Sequence, residues 1–181
     1  TPKTSELFCE WIYNKYNCTI NIVHNPEFLS VKTAKEDFMN QAQIILGKSK
    51  NCCQIKYDVV CDMYAKIFPM TKIVKCTSTE SETIKMLLNN FYAVKVQFFT
   101  EAYLLCTKLN IDYQNVVSTM IGNQWINKMH TQVPGHDGQI SYGGACFPKD
   151  TNALWNFMVN ECVPCDVIGA TIKERDTMRQ D

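Results

Sequence analysis

Apolar positions follow two rhythms along the chain, and the change between them divides it. Thr4-Ser5-Glu6-Leu7 opens a capped amphipathic helix to about Tyr16, apolar at Leu7, Phe8, Trp11 and Ile12. Thr19 to His24 is a short β-branched run that predicts a buried strand, ended by the loop Asn25-Pro26-Glu27-Phe28-Leu29. Gln43 to Leu46, closed by Gly47, predicts a second strand. Gln54 to Phe68 has helical spacing and Pro69 stops it, and Lys72 to Cys76 predicts a third strand. Strands alternating with helices predict an α/β arrangement with a small parallel sheet over residues 1–76.

From residue 77 the rhythm becomes helical. Thr79-x-x-Glu82 has capping-box spacing. Ile84, Leu87, Leu88, Phe91, Val94, Phe98, Ala102 and Leu105 then recur at helical spacing, with no Gly or Pro before Asn110. The stretch from Thr79 to Leu109 would make ~45 Å of helix at 1.5 Å per residue. Its apolar positions, including Phe91, Tyr92, Val94, Val96, Phe98 and Phe99, spread around the helix, so it is expected to be buried on most sides against a second copy. A second helix is predicted from about Asp112 to Ile121, ending at Gly122, and a last one from about Asp166 into Lys173-Glu174-Arg175-Asp176. Residues 77–181 therefore read as a mainly α-helical domain.

Composition narrows the classes. The formal net charge is zero and no basic block occurs, which argues against a nucleic-acid surface. No apolar run approaches the ~18 residues of a membrane span, and no secretion signal opens the chain. Ten cysteines at irregular spacing point to reduced thiols in the cytoplasm rather than to a disulfide scaffold. The sequon Asn17-Cys18-Thr19 is read as chance in that setting.

The densest chemistry lies in Tyr142-Gly143-Gly144-Ala145-Cys146-Phe147-Pro148-Lys149-Asp150. Paired glycines let a ligand approach the main chain, and Pro148 suits the first turn of a helix. Cys146 would sit at that helix N-terminus with Lys149 nearby, and both effects favour thiolate over thiol. Two readings stand: a structural cysteine buried in a Gly-rich loop, or an activated nucleophile. Among the ten cysteines, only Cys146 is expected to combine these features. Lys85 and Asn89, four apart, share one face of the long helix, either as site residues or as two polar residues on a mixed face. Glu27 sits where a strand ends, the side of an α/β sheet on which ligands bind. Cys162-x-x-Cys165 lacks the second pair a zinc site needs. His24, His130 and His136 could in principle serve Cys146 as a base but lie in no motif for it. No Gly-x-Gly-x-x-Gly occurs.

Taken together, Asn25-Pro26-Glu27-Phe28-Leu29, Thr33-Ala34-x-Glu36-Asp37-Phe38, Lys85 with Asn89, Val133-Pro134-Gly135-x-Asp137-Gly138 and Gly143-Gly144-x-Cys146-Phe147-Pro148-Lys149-Asp150 resemble the UDP-glucose 6-dehydrogenase family of NAD-dependent sugar-nucleotide dehydrogenases. Order and spacing both fit. The resemblance covers nearly the whole chain but only the middle of the family's protein. It implies that residues 1–76 are the C-terminal part of an NAD-binding Rossmann-like domain. Residues 77–181 would be the central dimerisation domain, in a homodimer or higher homo-oligomer built on the long helix. The implied activity is a two-step oxidation of a UDP-sugar C6 alcohol to a carboxylate, with two NAD reduced. Cys146 would form a thiohemiacetal and then a thioester. Lys85, Asn89 and a water held by Asp150 would stabilise the oxyanion, and Glu27 would handle protons in hydrolysis. Phe28, Leu29, Tyr142 and Gly143 match substrate-contacting positions. Two departures stand out: Ser30-Val31-Lys32 replaces a segment with a carboxylate, and Trp125-Ile126-Asn127 replaces Arg-Ile-Gly. These departures leave room for a silent dimerisation component of the same fold, or for a dehydrogenase of another nucleotide sugar. The 181 residues alone are expected not to oxidise UDP-glucose.

Overall fold

Three strands and seven helices form in a computed structural model that describes residues 1–30 and 32–179. The chain divides into two compact units, Thr1–Met86 and Leu87–Asp181. The architecture is the mixed α/β one expected, with a small sheet and one long helix.

In the first unit, β2 (Gln43–Lys48) and β3 (Lys72–Thr77) pair in parallel, from Gln43 opposite Lys72 to Lys48 opposite Thr77. Parallel strands need a crossover, and α3 (Gln54–Ile67) supplies it. Ile44 and Leu46 of β2 are buried with Cys52, and with Tyr57, Cys61 and Phe68 from α3 and its end. Val23, Tyr64 and Ile73 complete this core. The Tyr57 hydroxyl donates to the Leu46 carbonyl at 2.7 Å, so its burial leaves no polar atom stranded.

The first strand differs from expectation. Only Val23–His24 is extended enough to pair as β1, and it runs antiparallel to β2. The flanking residues explain why. The Asn21 side chain accepts from the Cys53 amide at 2.7 Å, and Asn25 donates to the Ile45 carbonyl at 2.8 Å. The Asn25 side chain thus takes the Ile45 carbonyl that a longer ladder would use, and Pro26 has no amide to extend it. A short helix not anticipated from periodicity, α2 (Ala34–Met39), follows the loop. Asp37 draws the chain back there, accepting from the Ser30 amide and the Thr33 hydroxyl, both at 2.8 Å. Val31, one of the two departures, lies outside the described residues.

The long helix α4 (Ser78–Leu109) begins one residue earlier than predicted. Its capping box is Thr77-x-x-Glu80, not Thr79-x-x-Glu82. Glu80 accepts from the Thr77 amide at 2.7 Å, and the Thr77 hydroxyl accepts from the Glu80 amide at 3.2 Å. Glu82 is instead buried and accepts from the amide and hydroxyl of Ser5 on α1 (Thr4–Tyr16), at 2.8 and 2.5 Å. Gly47 matters here: a Cβ on it would meet Ser81 and the backbone at Thr77 and Ser78, so only glycine lets β2 lie this close to the first turn of α4.

In the second unit, α4 turns back at Asn110, which takes a left-handed φ of 54°. Asp112 then caps α5 (Tyr113–Gly122) by accepting from the Gln114 amide at 2.8 Å. Phe99, Cys106, Tyr113, Val117 and Val133 form the core. The last helices are α6 (Phe147–Asn160) and α7 (Asp166–Met178). Phe99 is buried, whereas Phe91, Phe98 and Leu105, which belong to the helically spaced apolar series of α4, are exposed.

Candidate functional site

The candidate residues fall into two groups, one in each unit. In the first, the short β1 and Pro26 deliver Glu27, Phe28 and Leu29 beside Lys85 of α4. The Lys85 ammonium donates to the Glu27 carbonyl and lies 3.5 Å from Oε2 of the Glu27 carboxylate. The other carboxylate oxygen accepts from the Leu29 amide at 2.7 Å. The ammonium also sits 5.2 Å from the centre of the Phe28 ring, a cation–π contact. The Lys85 side chain is 21% exposed and that of Glu27 55%, so the carboxylate keeps access to water.

Two further contacts fix this region, and sequence reasoning missed both. His24 bonds through Nδ1 to the Ser81 hydroxyl at 2.8 Å, and Glu82 holds Ser5 as described. Burial pushes the His24 pKa down, with the Glu82 carboxylate opposing it. These partners are more than 50 residues apart in sequence, so no local spacing announces them.

In the second unit, Cys146 is the N-cap residue of α6, with Pro148 in the first turn. Its thiol is exposed, which removes the reading of a buried structural cysteine. Four residues on, the Asp150 carboxylate is buried. Asn89 donates to its Oδ2 at 2.6 Å, and the Lys149 ammonium pairs with Oδ1. The hydrogen bond to Asp150 holds the Lys149 pKa above its ordinary value, and the charges of Asp150 and Cys146 add to this against partial burial. Asn90 donates to the Asp150 carbonyl at 3.1 Å. The Tyr142 ring is buried, with its hydroxyl 3.4 Å from that of Thr151, so this side chain is committed to the interior. Gly143 is only part-buried, and the Arg179 guanidinium occupies the space a Cβ would need. The His130 ring packs against Tyr92 and Phe147, and burial beside Lys95 pushes its pKa down.

Cys146 is not alone in its setting. Cys53 is the N-cap residue of α3 and is fully exposed. Hydrogen bonds from the Lys56 and Ile55 amides lower its pKa, as do the charges of Lys56 and Lys48. The helix start predicted at Gln54 was signal enough to place Cys53 there. Its neighbour Cys52 is buried and its pKa is raised by that burial.

The described residues do not fit a dinucleotide pyrophosphate. No strand among them leads into a glycine-rich turn. After β2 the chain reads Ser49-Lys50-Asn51, and Gly47 is consumed by its contact with the first turn of α4. No helix among the described residues is long and apolar enough to cross a membrane.

Residues 79–175 match the profile of the UDP-glucose/GDP-mannose dehydrogenase family, central domain. Among relatives, the chain is 30% identical over 161 residues to a UDP-glucose 6-dehydrogenase of Rickettsia felis, covering 86% of this chain and 33% of that protein. It is 29% identical over 167 residues to the Rhizobium meliloti UDP-glucose 6-dehydrogenase, covering 89% and 36%. The chain thus spans about a third of the length of these relatives. Its fold matches that of a UDP-glucose dehydrogenase from Pyrobaculum islandicum with a TM-score of 0.82 at 23% identity, over 97% of this chain and 38% of that one. A GDP-mannose dehydrogenase from Pseudomonas aeruginosa matches in fold with a TM-score of 0.57 at 19% identity, over 97% and 39%. With more than half of its residues inside the family profile, the chain belongs to the UDP-glucose/GDP-mannose dehydrogenase family.

Proposed function

We propose that this chain is the covalent-catalysis portion of a cytoplasmic UDP-glucose 6-dehydrogenase-like oxidoreductase. In this reading, residues 1–76 complete a Rossmann-like domain for NAD, and residues 77–181 form the central dimerisation domain. The observation that carries it is the cluster on the first turn of α6: an exposed Cys146, then a buried Asp150 held by Asn89 and Lys149. An exposed thiol one helical turn before a buried carboxylate that Asn89 and Lys149 hold suits a nucleophile whose adduct carries a developing negative charge.

The overall conversion is UDP-glucose to UDP-glucuronate, with two hydrides accepted by NAD. This chain's own residues act on the sugar. The Cys146 thiolate adds to the C6 aldehyde, forming a C–S bond and an oxyanion that is protonated to the thiohemiacetal. Lys85, Asn89 and a water ordered by Asp150 stabilise that oxygen. At the thioester stage, water adds to C6 and the C–S bond breaks, giving the acid and the free thiol. Glu27 takes the proton of that water, for which its solvent-accessible carboxylate is suited. Phe28, Leu29 and the main chain at Tyr142 and Gly143 contact the UDP-sugar.

The test uses the protein purified from its source, with any flanking sequence intact, given UDP-glucose and NAD. The expected result is two NADH per UDP-glucuronate. A Cys146→Ser form should reduce NAD but release no acid, while residues 1–181 alone should make no NADH. Absence of UDP-glucuronate, with no sugar adduct on Cys146 by peptide mass, refutes the reading. It would favour a silent assembly component, the alternative suggested by the exposed Phe91, Phe98 and Leu105 and by the lack of a cradle among the described residues. An acid formed only from another nucleotide sugar would reassign the substrate.

A further inference from the structure

The segment leading to Cys146 is held by side chains that the reaction scheme does not use. Ser141 has a left-handed φ of 63°, a conformation that a non-glycine residue keeps only when its surroundings impose it. They do. Its amide donates to the Thr100 hydroxyl at 3.0 Å, its hydroxyl donates to Oε1 of Gln97 at 2.5 Å, and its carbonyl accepts from Arg179 at 3.4 Å. Gln97 is itself buried and donates to Glu174 of α7 at 2.7 Å.

Arg179, just past the end of α7, is the hub. Its side chain is 3% exposed, and it donates to Oδ2 of Asp137 at 2.7 Å as well as to the Ser141 carbonyl. Its guanidinium lies against the α-carbon of Gly143, in the space a side chain would fill. One turn earlier, the buried Arg175 donates to the Tyr142 carbonyl at 3.3 Å. Two buried guanidiniums therefore grip residues 137, 141, 142 and 143, and only Gly144 and Ala145 separate that grip from Cys146. A planar fork with several fixed donors can hold two acceptors at once in a way an ammonium cannot.

We propose that Arg179, supported by Arg175 and paired with Asp137, is a positioning residue that sets where the Cys146 thiol lies relative to the start of α6. The inference rests on the covalent role read for Cys146, but its test does not depend on turnover. Residues 1–181, unchanged and as Asp137→Asn, Arg179→Lys and Gly143→Ala, are alkylated with limiting iodoacetamide under native conditions. The rate at Cys146 is divided by that at the exposed Cys162, which lies outside the grip. Hydrogen exchange is followed at the amides of residues 140–146 and, as a control, of α5.

Asp137 is half-exposed, so its replacement by Asn keeps the fold while loosening the grip. The Cys146/Cys162 ratio is expected to fall about fivefold, the scale of a helix-terminus effect lost. Exchange at residues 140–146 should quicken with α5 unchanged. Arg179→Lys keeps the charge but loses the fork, and Gly143→Ala keeps every charge but displaces the guanidinium. Both should behave like Asp137→Asn. Full recovery in Arg179→Lys, an unchanged ratio and exchange in Asp137→Asn, or exchange that quickens in α5 to the same degree would overturn the proposal. A parent in which Cys146 reacts no faster than Cys162 would count against the nucleophile reading. The exchange data would still decide the grip.

Discussion

Asp150 shows how much a single buried carboxylate asks of its neighbours. It is 5% exposed, and Asn89 supplies one of its donors from a side chain that is itself 6% exposed. Asn89→Ala should therefore cost about 1–3 kcal/mol in urea unfolding at neutral pH, the penalty for leaving a buried acceptor short of a partner. A change below a few tenths would mean that water replaces the amide. Asp137 is the complementary case at the surface. The Arg179 hydrogen bond, with help from the Gln139 amide, holds its pKa below the ordinary 3.8. A carboxylate depressed in the folded state adds stability above its unfolded pKa and loses it as pH falls through the folded value. The melting-temperature advantage of the parent over Asp137→Asn should thus be level at neutral pH and shrink below pH 3.8. An advantage that persists unchanged at pH 2 would show that the ion pair is not its source.

At the scale of elements, Gly47 gives the sharpest expectation. A methyl there would lie 2.8 Å from the Thr77 carbonyl and 3.0 Å from the Ser78 α-carbon, neither of which can swing aside. Gly47→Ala should destabilise the first unit by about 1–3 kcal/mol, as overpacking does, measured by urea unfolding. The same contact explains what could be read from sequence and what could not. Helical spacing and stop signals located α1, α3, α4, α5 and α7 within a residue or two, because that spacing is a property of each segment's own residues. The capping box was misplaced because Thr77-x-x-Glu80 and Thr79-x-x-Glu82 satisfy the same local rule. The choice is made by Ser5 capturing Glu82, a tertiary event. β1 was read too long because the Asn25 side chain, invisible to a periodicity argument, takes a carbonyl of β2 that the ladder would use. In the candidate site, Cys146, Asp150, Asn89 and Lys85 were legible as candidates from motif spacing, but the pairing of Asn89 with Asp150 and of Lys85 with Glu27 was not. Arg175 and Arg179 were not legible, since their significance depends on what they lie against; Cys53 could be placed at a helix start, but not the amides that lower its pKa.

For the molecule as a whole, the apolar load on α4 leads to an expectation about assembly. Phe91 and Phe98 are 61% and 54% exposed on a helix whose other faces already carry a core. The chain should self-associate at micromolar concentration in sedimentation experiments, and Phe91→Glu with Phe98→Glu should shift it to monomer. A parent that sediments as a monomer would remove the homodimer from the proposed function. That experiment has a chemical hazard built into the protein. The cysteines are unpaired, and Cys18, Cys53, Cys146 and Cys162 all face solvent, Cys53 with a thiol that ionises more readily than usual. Left in air, such a surface welds neighbouring molecules through intermolecular S–S bonds at several points, and a mixed population of covalent chains would imitate a specific dimer. Stored without reductant, the protein should run as a ladder on a non-reducing gel and collapse to one band when dithiothreitol is added. Its true stoichiometry can be weighed only with the thiols kept reduced or capped.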